Sequence, residues 1–251
     1  VASLVGSEMC IRDRDKNHDN EHVKSNSSYQ YSFFEEIIKK QNPLSNISVY
    51  KPYIEDVNKF SFEDYDAFLW TGGLGNIYDD NDHNKNQLKI FDRIATLERP
   101  IWGSCWGLQV AVTAFGGKIS SSMSPEFGYS EKIKIIKNHF VYKNKKNLFT
   151  APGHHYDSLE TLPKDFDIIS ENNHSIQSIC HKKQNIFCTQ YHPELPYNYI
   201  GKLMSYWKRN YLKIMSENEF EALLNKLQSF ENEDQFNREL ELLNWLENIK
   251  L

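Results

Sequence analysis

Gly103-Ser104-Cys105-Trp106-Gly107 sets a thiol between two glycines, each two residues away. Pro100–Trp102 before it reads as a buried strand, and Leu108–Phe115 after it as an apolar helix. A nucleophile on such a strand-to-helix turn forms an elbow, here with sulfur in place of oxygen. The turn drives the central residue into a strained backbone conformation and leaves room for little more than glycine beside it. It also puts the thiol at a helix N-terminus, where outward-pointing N–H groups favour thiolate. Taken alone, the same residues equally fit a buried structural cysteine between packing glycines.

Two further segments offer the missing chemistry. Gln190-Tyr191-His192-Pro193-Glu194 follows the apolar run Ile186–Thr189. A histidine leaving a strand end faces the crevice where ligands bind in open α/β sheets. Its imidazole is a candidate to take the thiol proton and return it to a leaving group, with Glu194 fixing the tautomer. Thr71-Gly72-Gly73-Leu74-Gly75 follows the apolar run Ala67–Trp70. The backbone N–H groups of Gly73 and Trp106 would make a two-donor oxyanion hole, where losing one donor typically costs about 3–4 kcal/mol of transition-state stabilisation. The rival reading, a phosphate loop, lacks the Gly-Lys-Ser/Thr that should follow.

With these residues in this order, the chain resembles a class I glutamine amidotransferase domain, similar to the stand-alone relatives of the amidotransferase half of GMP synthase. Pro125-Glu126-Phe127-Gly128, the His155-x-Asp157 pair before Leu162-Pro163, and Ile176-Gln177-Ser178 extend the likeness over about residues 30–205. The resemblance implies that Cys105 attacks the side-chain amide of glutamine, that His192 and Glu194 complete a triad, and that the thioester is hydrolysed to glutamate. It further implies that Gln109 and the backbone around Glu126, Phe127 and Gly128 hold glutamine, with His155 and Asp157 near the site or at an interface. No SGGxDS-type pyrophosphatase loop is present, so the chain reads as the ammonia-producing half alone, with a separate ammonia-accepting synthetase or another acceptor as the implied partner. No cofactor is implied. His154, His155, Asp157 and His192 lack the spacing of a familiar zinc site, and no metal is expected.

The elements that must position these groups are legible in outline. Tyr31, Phe34, Ile37 and Ile38 predict a helix over 30–41, Ile47–Tyr50 a strand, and Leu88, Phe91, Ile94 and Ala95 another amphipathic helix. After Gly116-Gly117 the chain turns strand-rich, with strands at 131–137, 167–171, 176–181 and 186–190. The pattern predicts an α/β fold: a doubly wound, mostly parallel sheet flanked by helices, with antiparallel additions, flavodoxin-like in the terms of the resemblance. Beyond Pro196 the chain reads as helical, with a capping box at Ser216 and Glu219 and a final helix marked by Phe236, Leu240 and Leu243. Val1–Arg14 reads as foreign to the domain, like translated sequencing adaptor, which sets Cys10 aside. Either Ala2–Val5 then supplies the first strand or that strand is absent, a harmless tail being the alternative. The expected division is an artefactual or disordered 1–28, an amidotransferase domain 29–212 and a helical extension 213–251.

Composition narrows the function classes. The chain has 251 residues, 29 Lys and Arg against 34 Asp and Glu, and a formal net charge of −5. With a pI near 6.0 and no basic block, it is a poor binder of nucleic acid or anionic membrane. No apolar run is long enough to span a bilayer. Four cysteines without a CxxC pair suit a reducing, cytoplasmic setting. Two rivals to glutamine hydrolysis stand: a γ-glutamyl hydrolase acting on γ-glutamyl amines or peptides, and a catalytically silent regulatory or binding module.

Overall fold

The computed structural model describes residues 8–12, 28–51, 61–73, 75–233 and 235–249. Its first half alternates β1 (Glu8–Arg12), α1 (Gln30–Gln41), β2 (Asn46–Tyr50), β3 (Ala67–Trp70), α2 (Asp82–Thr96), β4 (Ile101–Ser104) and α3 (Trp106–Ala114). Strands then dominate: β5 (Lys118–Glu126), β6 (Tyr129–Ile135), β7 (Leu148–Pro152), β8 (His155–Thr161), β9 (Phe166–Glu171), β10 (Ile176–His181) and β11 (Ile186–Thr189). The chain ends in α4 (Tyr197–Tyr206), α5 (Lys208–Tyr211), α6 (Glu217–Glu233) and α7 (Gln235–Asn248).

Nine strands form one mixed sheet in the order β2-β1-β3-β4-β11-β10-β9-β6-β7. The first five are mutually parallel and the rest pair antiparallel. β5 and β8 make a separate antiparallel pair. The sequence reading sought the first strand at Ala2–Val5 or found none; the structure instead has it at Glu8–Arg12, hydrogen-bonded to β2 on one side and β3 on the other. A five-residue run with charged ends carries little periodicity, and its pairing comes from neighbours distant in sequence. Residues 2–5 lie outside the described residues.

Strand alternation divides the core between the two faces of the sheet. Phe68 and Trp70 of β3 join Ile90 and Phe91 of α2 and Leu108 and Val112 of α3 on one face. Ala67 and Leu69 turn to the other, where they meet Phe34 and Ile38 of α1 and Leu242, Trp245 and Leu246 of α7. The last helix is therefore built into the sheet's own core. Its apolar face is broader than Leu240 and Leu243 suggested, with Trp245 wholly buried against Trp102 at a ring separation of 5.7 Å. Phe236's side chain lies outside the described set. A third cluster joins α4, α5 and α6 through Ile200, Met204, Tyr211, Phe220 and Leu227. The capping box forms, with Ser216 Oγ 2.7 Å from Glu219 Oε2 and the Glu219 N–H donating back to Ser216 Oγ.

Candidate active site

β3, β4 and β11 are neighbours in the sheet, parallel and closely in step. Trp70 pairs with Gly103, and Gly103 and Ser104 pair with Cys188 and Thr189. The residues that follow each strand therefore emerge side by side at one edge: Thr71–Gly73, Cys105, and Gln190–Glu194. The ladder runs one step beyond the strands, with the Cys105 N–H donating to Thr189 O at 2.7 Å.

Cys105 caps α3 with φ 51° and ψ −93°, a left-handed conformation that an L side chain rarely adopts. Close packing accounts for both flanking glycines. A Cβ on Gly103 would stand 2.8 Å from the backbone of Gly107, and one on Gly107 would stand 2.9 Å from Trp70 Cβ. Trp106 opens α3, so its N–H faces out of the helix end beside the thiol. Gly73 lines the same pocket as Cys105 and His192. Leu74 of this loop lies outside the described residues.

A row of buried hydrogen bonds ends at His192, in the pocket that Cys105 also lines. Trp102 Nε1 donates to Ser104 Oγ at 3.0 Å, and Ser104 Oγ donates to Glu194 Oε2 at 2.8 Å. Glu194 Oε1 lies 2.7 Å from His192 Nδ1, with both side chains buried. An ionised carboxylate only accepts, so Nδ1 carries a proton toward Glu194. Burial opposes charge on His192, but the Glu194 carboxylate and the hydrogen bonds to Cys105 and Glu194 outweigh it and lift the imidazole to about 10. The ring lies directly over Gly72, where a Cβ would come within 2.5 Å of its Cε1.

Several participants escaped the sequence reading. Ser104, though part of the elbow motif, gave no sign that it would bond Glu194. Gln190 Nε2 donates to Cys105 Sγ at 3.7 Å, and the thiol reaches His154 O at 3.8 Å. Gln30, at the start of α1, lines the Cys105 pocket, and its buried Oε1 has no hydrogen-bond partner among the described residues. His154 shares Nε2 with the Tyr211 hydroxyl at 3.0 Å. Burial, then the charges of His155 and His192, hold it down to about 3, so it is neutral. The far wall of the pocket is apolar, built from Leu195, Ile200, Leu203, Met204 and Trp207.

The residues assigned to glutamine binding sit apart from that pocket's lining. Gln109 is buried one turn into α3, its Oε1 unpartnered among the described residues. The Glu126 carboxylate is taken up by His155 Nε2 at 3.0 Å, Asn172 at 2.8 Å and Gln177 at 2.6 Å. Burial works against its charge, yet these bonds bring its carboxyl below the ordinary range. Only the backbone of this segment is therefore left to meet a ligand. Phe127 packs on His154, Tyr156 and Tyr211. Gly128 has φ +86° and lies beneath Leu223 and Leu227 of α6. Asp157 accepts from the Tyr78 hydroxyl at 3.1 Å and, being partly desolvated, has a raised carboxyl pKa. Among the described residues, no group of three or more His, Cys, Asp or Glu side chains is arranged to hold a metal ion. Cys180 and Cys188 are buried in β10 and β11, and burial pushes both thiols upward. No helix among the described residues is long and apolar enough to cross a membrane.

Comparison with known proteins gives the family and the fold neighbours. Residues 22–204 match the family model for glutamine amidotransferase class-I. A GMP synthase [glutamine-hydrolyzing] of Fusobacterium nucleatum is 32% identical over 150 residues, 60% of this chain and 28% of that protein. The GMP synthase of Brachyspira hyodysenteriae is 30% identical over 161 residues, 63% of this chain and 29% of its own length. The chain thus spans less than a third of these relatives. A glutamine amidotransferase from Thermotoga maritima superposes with a TM-score of 0.73 at 16% identity, covering 97% of this chain and 98% of that one.

Proposed function

Because the chain belongs to the class-I glutamine amidotransferase family, we propose that it hydrolyses the side-chain amide of L-glutamine through a thioester on Cys105. The Cys105 sulfur attacks the amide carbon while its proton rests on His192. The carbonyl oxygen gathers charge against the Gly73 and Trp106 N–H groups. Collapse breaks the C–N bond, and His192 delivers its proton to the nitrogen, which leaves as ammonia. Water then attacks the γ-glutamyl thioester, giving up a proton to His192, and the sulfur leaves with that proton as glutamate is released. The family resemblance assigns glutamine binding to Gln109 and the backbone of Glu126–Gly128, which stand outside the lining of the Cys105 pocket. The relatives are GMP synthases named for glutamine hydrolysis, and we extend to this chain the supply of ammonia to a synthetase. A reducing, cytoplasmic setting would keep the free thiol of Cys105 available.

The observation that carries this reading is the buried row from Trp102 through Ser104 and Glu194 to His192, which lines one pocket with Cys105. Incubating the purified chain with glutamine and following ammonia and glutamate tests it. Equal release of both, abolished in Cys105→Ala, is expected; no turnover, alone or with a synthetase added, would refute it.

One observation favours a second reading. The wall beyond Cys105 and His192 is apolar, and His192 is the residue that protonates the leaving nitrogen. That wall suits an apolar substituent on the amide nitrogen, as in a γ-glutamyl amine. Faster release of an apolar amine than of ammonia, in the same assay, would decide for it.

A further inference from the structure

Helix α7 grips the segment that carries His192 and Glu194. Arg238 Nη1 donates to the carbonyl of Pro193, the residue between them, at 2.8 Å. The guanidinium is buried and its Nη2 bonds Glu239 Oε1 at 2.7 Å. One turn further along, Glu241 Oε1 accepts from the Tyr191 hydroxyl at 3.0 Å. Glu241 is itself fixed by Lys145 at 2.7 Å, with the two side chains 0% and 1% exposed. The Tyr191 hydroxyl also meets that of Tyr142 at 2.8 Å. Both neighbours of His192 are thus tied to charged side chains of one helix turn.

Other holds on the segment come from the sheet and the elbow, Ser104 on Glu194 among them. Thr189 Oγ1 donates to Tyr191 O at 2.7 Å, and the His192 N–H donates to Pro152 O at 2.7 Å. Pro193 has no N–H, so Arg238 supplies its hydrogen bond through the carbonyl. Arg238 and Glu241 also lie beyond residue 204, where the family match ends.

We propose that Arg238, supported by Glu241, is a positioning residue that sets the His192 ring against the Cys105 thiol. The inference rests on the Cys105–His192–Glu194 reading above. A buried guanidinium is suited to this because its planar fork holds two acceptors at once and fixes their relative placement. Misplacing a proton-transfer group by about 1 Å can cost on the order of 100-fold in rate.

The test uses the full chain with Arg238→Ala, Tyr191→Phe and a control, Asn244→Ala. Asn244 also belongs to α7 but donates to Val141 O and Lys143 O, either side of Tyr142, and bonds no residue of 189–194. Glutamine kinetics, thermal melting and the rate of Cys105 alkylation by iodoacetamide, read by peptide mass spectrometry, are compared. Arg238→Ala should lower kcat by roughly 10- to 100-fold with KM little changed. It should also change the alkylation rate, and Tyr191→Phe should do the same more weakly. Asn244→Ala should lower the melting temperature while leaving kcat and alkylation near wild type. Equal loss in Arg238→Ala and Asn244→Ala, or wild-type kinetics in a folded Arg238→Ala, would overturn the proposal. If Arg238→Ala does not fold, wild-type values in Tyr191→Phe overturn it, and a reduced kcat with altered alkylation supports it. If the wild-type chain proves not to hydrolyse glutamine, the alkylation rates alone decide the positioning role.

Discussion

His192 and Glu194 face each other at 2.7 Å, buried on the same short segment, and the carboxylate's other oxygen is held by Ser104 from a different strand. The pair is thus set by two strand ends at once. A charge-assisted bond of this kind stabilises the imidazolium and fixes which ring nitrogen faces the sulfur.

Glu194→Gln removes that charge with little change in volume. We expect kcat to fall by about 10²–10⁴-fold, the usual range for impaired acid–base catalysis, in steady-state assays with glutamine. The same substitution tests the linkage to stability. His192 is raised from 6.5 to about 10 in the folded chain, so its stabilisation is full below pH 6.5 and is lost as pH rises through about 10. Urea melts between those limits should show wild type losing stability that Glu194→Gln does not lose. Parallel pH curves for the two proteins would contradict it.

Ser104→Ala leaves Glu194 Oε2 without its donor and Trp102 Nε1 without its acceptor. A buried hydrogen bond to a charged group contributes roughly 1.5–3 kcal/mol, and a stability loss in that range is expected by urea unfolding. Activity should fall less than in Glu194→Gln, because Nδ1 keeps its carboxylate. A larger kinetic defect than in Glu194→Gln would show that the row is ordered differently.

Gly72→Ala tests the seat of the imidazole. The new methyl would stand 2.5 Å from His192 Cε1, so the ring must move. A kcat loss on the order of 100-fold is expected for such a displacement, with the melting temperature little affected. Wild-type turnover in this variant would place the working position of His192 elsewhere.

Cys105 has a φ of 51° that glycine adopts freely. Strain of this kind costs about 1–3 kcal/mol, so Cys105→Gly should resist urea better than Cys105→Ala by an amount in that range, less what glycine loses in chain entropy. Lower stability for the glycine variant would mean that the elbow is not strained.

The legible part of this site was local. Cys105, His192, Glu194 and Gly73 each follow an apolar run that became a strand end, and parallel pairing of β3, β4 and β11 gathers such ends. What could not be read lies across the chain. Arg238 meets Pro193 from 45 residues away, and Gln30 reaches the pocket from the first helix. Neither sits in a pattern that marks it, since a polar residue on an amphipathic helix usually faces water. Glu126 carries the opposite lesson: its motif drew attention to the site, while its carboxylate serves the scaffold through His155, Asn172 and Gln177. β1 was passed over because Val1–Arg14 was read as foreign to the domain, and five residues with charged ends show no period to argue otherwise, although the sheet places them between two partners.

The most direct measurement is covalent trapping of the nucleophile. The wild-type chain and His192→Ala are treated with a glutamine-mimicking diazoketone, and the labelled peptides are located by mass spectrometry. A single adduct on Cys105, formed rapidly in wild type and far more slowly in His192→Ala, is the predicted result. Label on Cys180 or Cys188, or equal labelling of Cys105 in both proteins, would contradict a thiol activated by that imidazole.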